Sequence, residues 1–261
     1  MFDLLSQIAI PFVLSASIVV LIMLIAERYG TKVGGILGTL PSTIVIAFIF
    51  IAFNKGVDFT SQSVAVVPAE LGVNLVFLFL FAILARRSIY LAFAVSLTAW
   101  TLLSSLLFII TLENIYVSLA AYAISLVFTL GVLEHIKKIP SVSSVKVHYT
   151  LVKIAFRGVL AGTIISVCIL LSNTSAVLSG IFSVFPAILS STMLISIREH
   201  GPEFAAGIAK SMIFGISSVC VYATAIYFLY PVYGIIFGTI FAYGVSLVAT
   251  MILFKLRGKI R

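Results

Sequence analysis

The sequence predicts an all-α polytopic membrane protein of nine transmembrane helices, laid out as a four-helix unit, a connector helix and an inverted second copy of the unit. Three observations lead there: a composition too apolar for a water-soluble domain, an internal repeat, and basic residues confined to one side. Of the 261 residues, 62% are hydrophobic and 9% charged, and the mean hydropathy is +1.28. Soluble domains run near half apolar and a quarter charged. Long runs with few charges read as membrane-crossing helices, each needing about 20 residues to cover a hydrocarbon core about 30 Å thick.

The repeat is carried by Gly34 to Thr43 (GGILGTLPST) and Ser179 to Thr192 (SGIFSVFPAILSST). In each, a Gly stands six residues before a Pro, so Gly35 pairs with Gly180 and Pro41 with Pro186 at an offset of 145 residues. The same offset aligns Lys55 to Phe59 (KGVDF) with His200 to Phe204 (HGPEF). In a membrane protein, Gly/Pro-interrupted segments at matching places in two halves point to a transport site.

Continuous apolar windows give spans at about 4–26, 33–53, 63–85, 89–111, 114–134, 152–172, 176–197, 206–230 and 232–254. The first run has only Phe2 and Asp3 before it and no basic leader, so it is expected to stay in the mature chain. The offset maps the first four spans onto the last four. Three units follow: 1–111, the first repeat, with its N-terminus outside; 112–151, the connector and a basic linker; and 152–261, the inverted repeat, with its C-terminus inside. Ile136 to Lys153 is the long polar stretch, marked as a linker by Pro140 and its serines. With the N-terminus outside, 15 of the 16 Lys and Arg fall at the cytoplasmic face and Lys55 alone falls outside, as the positive-inside rule requires. Because the second copy begins five spans after the first, it enters from the opposite face. Matching loops have exchanged charge accordingly: Arg28 and Lys32 follow span one, whereas Asn173, Thr174 and Ser175 hold the matching turn. A plasma or inner membrane location follows.

The second half resembles GlpM-like small membrane proteins. The residues that carry the likeness are Gly180, Phe185-Pro186 and Gly201-Pro202-Glu203, with Tyr222, Tyr227 and Phe228 beyond them. The match covers roughly residues 175–253. In the first half Leu40 stands in place of the Phe and Asp58 in place of the Glu. The resemblance implies an architecture, here a fused double version of a unit that elsewhere occurs singly, and brings no substrate or catalytic residue. The layout is also similar to fused fluoride channels of the Fluc class, a likeness of architecture that does not transfer function.

Proline removes a backbone donor and clashes with the carbonyl four residues back, freeing polar groups within the membrane. The expected binding site therefore gathers Gly35, Gly38, Pro41, Ser42 and Thr43 from one half and Gly180, Ser183, Pro186, Ser190, Ser191 and Thr192 from the other. The alternative is a pair of kinked helices whose hydroxyls bond back to their own turns. Glu70, with Asn74 one turn on, is the acid placed to lie within the membrane, where ionisable groups are costly and usually functional; it could equally cap a helix begun by Pro68 near the outer interface. Lys210 is expected to snorkel to cytoplasmic headgroups, and Asp58 and Glu203 to sit at helix starts in one turn used twice. Cys168 and Cys220 lie in apolar spans without metal spacing.

No nucleophile–base pair, phosphate loop or metal cluster is evident, so no catalysis, metal or cofactor is expected. The net charge of +8 sits in short loops and orients the chain, so a nucleic-acid partner is not expected. The expected partners are the lipid bilayer and a small solute. A fused pair can act as a monomer or assemble further. The leading expectation is a transporter or facilitator for a small polar, anionic or lipid-headgroup solute. The alternatives are a passive ion channel of fused dual-topology type and a non-transporting lipid-handling or assembly protein. Single cysteines at Asn173 and Lys146 should react with a membrane-impermeant maleimide from outside and inside respectively; reaction of both from one side would sink the inverted nine-span topology.

Overall fold

Backbone amides in an apolar medium have only the chain itself to bond with, which leaves helices as the economical solution for such a sequence. The computed structural model describes residues 4–38, 41–136 and 150–259, and its regular elements are helices. They are α1 (Leu4–Gly38), α2 (Ser42–Lys55), α3 (Val57–Ala65), α4 (Val67–Leu84), α5 (Ile89–Ile109), α6 (Ile115–Gly131) with a π turn at Val132–Ile136, α7 (Leu151–Leu171), α8 (Ala176–Ser183), α9 (Ala187–His200) and α10 (Pro202–Lys259). Most of the Ile136 to Lys153 linker, including Lys137, Lys138 and Lys146, lies outside the described residues.

Helix ends recur at the sequence offset. α1 ends at Gly38 and α8 at Ser183; α2 spans Ser42–Lys55 and α9 spans Ala187–His200; α3 starts at Val57 and α10 at Pro202. Each pair is 145 residues apart. The turns between them match too: Gly56 has φ 87° and ψ 170°, and Gly201 has φ 84° and ψ 175°. That left-handed φ favours glycine. Asp58 and Glu203 then stand in the first turns of α3 and α10, where a carboxylate meets the positive helix end.

Seven stretches of the described residues are long and apolar enough to cross a membrane. One of them, Pro202–Ile252, has 51 residues and folds back on itself at Gly234 (φ 71°). Ser246 Oγ donates to Ser218 O at 2.8 Å across the two arms, 202–233 and 235–259. α2 is apolar but, at 14 residues, short.

Two expectations need correction. The sequence reading separates spans at 4–26 and 33–53, but α1 runs unbroken for 35 residues and the interruption comes at Pro41. The lone Gly30 costs a helix only about 1 kcal/mol, whereas the matching segment has Asn173, Thr174 and Ser175, whose short polar side chains favour turns. There Ser175 Oγ accepts from Leu178 N and caps α8. The second correction concerns Lys210. It is 7% exposed and its Nζ lies 3.4 Å from Glu134 Oε1 on the π turn, so it pairs inside the protein rather than reaching for headgroups.

The α3–α4 stretch, 57–84, is the centre of the fold, with 78% of its most apolar window buried against 22% for α5 and α6. α5, α6 and the arm 235–259 present large apolar side chains outward, among them Ile109, Ile124, Val127 and Ile236. α1 and α7 pack antiparallel and closely. A Cβ on Gly158 would meet Val20 Cγ2 at 2.8 Å, one on Gly162 would meet Phe12 O at 2.8 Å, and Ser166 Oγ donates to Ile8 O at 3.0 Å. Small residues give such approach where lipid removes the hydrophobic drive between helices. The ion pairs among the described residues are Arg86–Glu203, Lys153–Glu199 and Lys210–Glu134. Each joins residues that the sequence assigns to the same, cytoplasmic, side.

Gly180 serves packing. A Cβ there would stand 2.0 Å from Ser63 O and 2.5 Å from Val66 Cγ1, bringing α8 into backbone contact with α3. Gly180→Ala should therefore cost about 3 kcal/mol or more, since backbone cannot move aside cheaply. Gly244→Ala, with nothing within 4 Å of its Cβ, should leave stability unchanged or slightly raised. Thermal unfolding of the purified protein compares them, and equal midpoints would refute this account of the α3–α8 contact.

Candidate functional site

A membrane helix interrupted by proline leaves carbonyls and amides without intrahelical partners, and they must find others. Here two interruptions do so around one cavity. Pro41 precedes α2 with φ −75° and ψ 58°, and Pro186 precedes α9 with φ −77° and ψ 33°; neither helix has a side-chain cap. Between them lies a cavity of about 150 Å³. Pro41, Ser42 and Thr43 reach it from the first break, Ser183, Val184 and Phe185 from the second, and Asn74 from α4.

Asn74 links the two halves. Its Nδ2 donates to Val184 O at 2.7 Å, satisfying a carbonyl that the break between α8 and α9 leaves open. The side chain is 2% exposed, and its Oδ1 has no hydrogen-bond partner among the described residues. The hydroxyls of Ser42 and Thr43 have none either. In α2 the amide of Val45 lies 3.4 Å from Pro41 O. In α9, Ala187 N bonds Phe185 O at 2.8 Å and Ser190 N bonds Pro186 O at 2.8 Å. First-turn amides have no intrahelical acceptor, and a ligand is one of the partners that can serve them.

The cavity walls are built from matching positions. Thr43 and Ile188, Ile44 and Leu189, Leu71 and Ile216, and Asn74 and Val219 all line it, each pair 145 residues apart. Their chemistry is unequal: Thr43 and Asn74 are polar, while Ile188 and Val219 are apolar.

Other residues expected at the site lie elsewhere or are already engaged. Ser191 Oγ and Thr192 Oγ1 both donate to Ile188 O, at 3.0 and 2.7 Å, which is the backbone-bonded alternative. Ser183 faces the cavity, but its hydroxyl donates to Gly180 O at 2.7 Å. Gly180 packs on Ser63, and Pro186 and Ser190 are outside the lining. Gly35 and Gly38 belong to the last turns of α1, and Leu40 lies outside the described residues. Glu70 is in the first turn of α4, as the capping alternative has it, yet it is 0% exposed in the middle of 57–84 rather than at an interface. Ser104 Oγ donates to its Oε1 at 2.8 Å, and the residue does not reach the cavity.

Two residues near the site gave no clear sequence signal. Arg157, counted by sequence as a topological charge, is 7% exposed; its guanidinium donates to Ile188 O at 3.4 Å and to Thr192 Oγ1. It sits one turn before the cavity-lining Ala161 on α7. Trp100 places its ring centroid 4.9 Å from that of Phe185, edge to face, and so touches the second break from behind. The signal for Arg157 was its place three residues inside an apolar run, after Ile154 and Ala155.

A family model described as a protein of unknown function, DUF3147, matches residues 8–113. The matched part runs from the start of α1 to the loop after α5. No curated protein and no solved structure matches the chain.

Replacing Asn74 by Leu keeps the volume and removes the donor, leaving Val184 O unpaired in apolar surroundings. The expected loss is about 1–3 kcal/mol of stability, read as a lowered unfolding midpoint. An unchanged midpoint would mean that the break does not depend on this bond.

Proposed function

We propose that the protein is a membrane transporter or facilitator that carries a small polar, anionic or lipid-headgroup solute through a central site between two inverted four-helix repeats. The observation that carries this reading is the convergence of two repeat-related helix breaks on one cavity. Discontinuous helices meeting near the midplane are how transporters expose backbone groups to solutes without exposing them to lipid. The matching helix ends and glycine turns support the repeat, and the antiparallel packing of α1 on its counterpart α7 supports the inversion. The extent of the family match, close to the 1–111 unit, supports a four-helix unit as the building block, in keeping with a GlpM-like unit doubled and fused. One-sided charges and same-side ion pairs support nine crossings with the N-terminus outside and the C-terminus in the cytoplasm. The role is non-enzymatic.

The test uses the prolines. Pro41→Ala or Pro186→Ala lets the missing backbone bond form and straightens the helix. Flux into proteoliposomes, screened over polyols, inorganic anions and glycerophosphate, should fall about tenfold or more in both variants while thermal stability holds or rises. Normal flux with unchanged stability in both would refute the central site.

A further inference from the structure

The cavity has two unlike walls. On the side of the first half stand the hydroxyls of Ser42 and Thr43 at the start of α2 and the unpartnered Oδ1 of Asn74. On the side of the second half, the positions equivalent to Thr43 and Asn74 hold Ile188 and Val219, with Leu189, the counterpart of Ile44, beside them. We propose that the cavity binds a small uncharged amphipathic molecule, with a hydroxyl-type head on Ser42, Thr43 and Asn74 and an apolar body against Ile188, Leu189 and Val219. This rests on the central-site reading and narrows the solutes that it admits.

The head must both donate and accept. Asn74 Nδ2 is held by Val184 O at 2.7 Å, which fixes the amide and leaves Oδ1 as an acceptor in need of a donor. The Ser42 and Thr43 hydroxyls at the start of α2 can donate or accept. One hydroxyl group satisfies both. The head is uncharged because no ionisable side chain lines the cavity, and an isolated charge in such surroundings is far costlier than a neutral polar group. Glu70 precedes lining Leu71 in the chain with its Oε1 held by Ser104, and Arg157 bonds Ile188 O and Thr192, but neither side chain lines the cavity. A cavity near 150 Å³ accepts a body about the size of benzene.

Trp100 is the chain's single tryptophan and contacts the cavity-lining Phe185, so its emission reports occupancy. The full chain in nanodiscs is titrated with 1-hexanol, 1-chlorohexane, glycerol and, at pH 8, hexanoate. Hexanol should give a saturable change, at least tenfold tighter than the other three, that disappears in Leu189→Phe and in Thr43→Leu, both of which fill the cavity. Asn74→Val should weaken hexanol about tenfold, and should it fail to fold, Val219→Asn gives a second measure by making the body wall polar and drawing in glycerol. A response to monooleoylglycerol in the nanodisc, with none to hexanol, would support the same head chemistry carried by a lipid. Hexanoate binding as tightly as hexanol overturns the uncharged head, and glycerol binding as tightly overturns the amphipathic body; both leave the cavity a binding site. No response to any probe that the filling variants alter overturns this assignment and the central site together.

Discussion

A carbonyl oxygen in an apolar interior has to be bonded by something, and at the α8–α9 break that something is Asn74. Its 2.7 Å bond to Val184 O makes an interrupted helix tolerable away from water. The bond in turn requires α4 to pass directly beside the break. The α3–α4 stretch is accordingly the most enclosed of the long helices, walled by α5, α6, α8 and α10. The close contact of Gly180 with Ser63 sets the distance, because a side chain on α8 would push the break out of reach of α4. Tight packing at a glycine and a cavity a turn away are two sides of one arrangement.

The architecture was legible wherever it depends on residues with a narrow conformational range. Pro41, Pro186, Gly56 and Gly201 restrict their own backbone, and the helix ends beside them recur at the offset those letters set, although the span bounds read from the sequence ran across both breaks. Asn74 could be singled out because a polar amide within an apolar run has few uses. Less legible was anything set by a partner far along the chain. Lys210 looked like an interfacial lysine until Glu134 was placed beside it, and Arg157 looked like a topological charge until α9 was laid across it. The unbroken α1 was missed because charged residues after an apolar run suggest a loop, although Glu27 and Arg28 are also good helix formers. Hydroxyls were the hardest to read: Ser42 and Thr192 look alike in sequence, yet one opens on the cavity and the other bonds to its own turn and to Arg157.

Glu70 shows how a strong sequence signal can be correct about position and silent about use. It lies inside the helical core, in the first turn of α4 and in contact with Ser104, while the cavity takes Asn74 one turn further on. The helix start behind Pro68 gives the carboxyl a favourable end-on dipole, and Ser104 gives one oxygen a donor. Those two terms place the acid without any solute.

The offset of 145 residues has a consequence for how such a site can change. When a unit acts as two separate identical copies, any substitution on one wall appears on the other, and the cavity between them keeps twofold equality. In one chain that carries both halves, that equality is not enforced. Position 74 can hold Asn while position 219 holds Val, and position 43 can hold Thr while position 188 holds Ile. The cavity accordingly presents unlike residues at positions that the offset pairs.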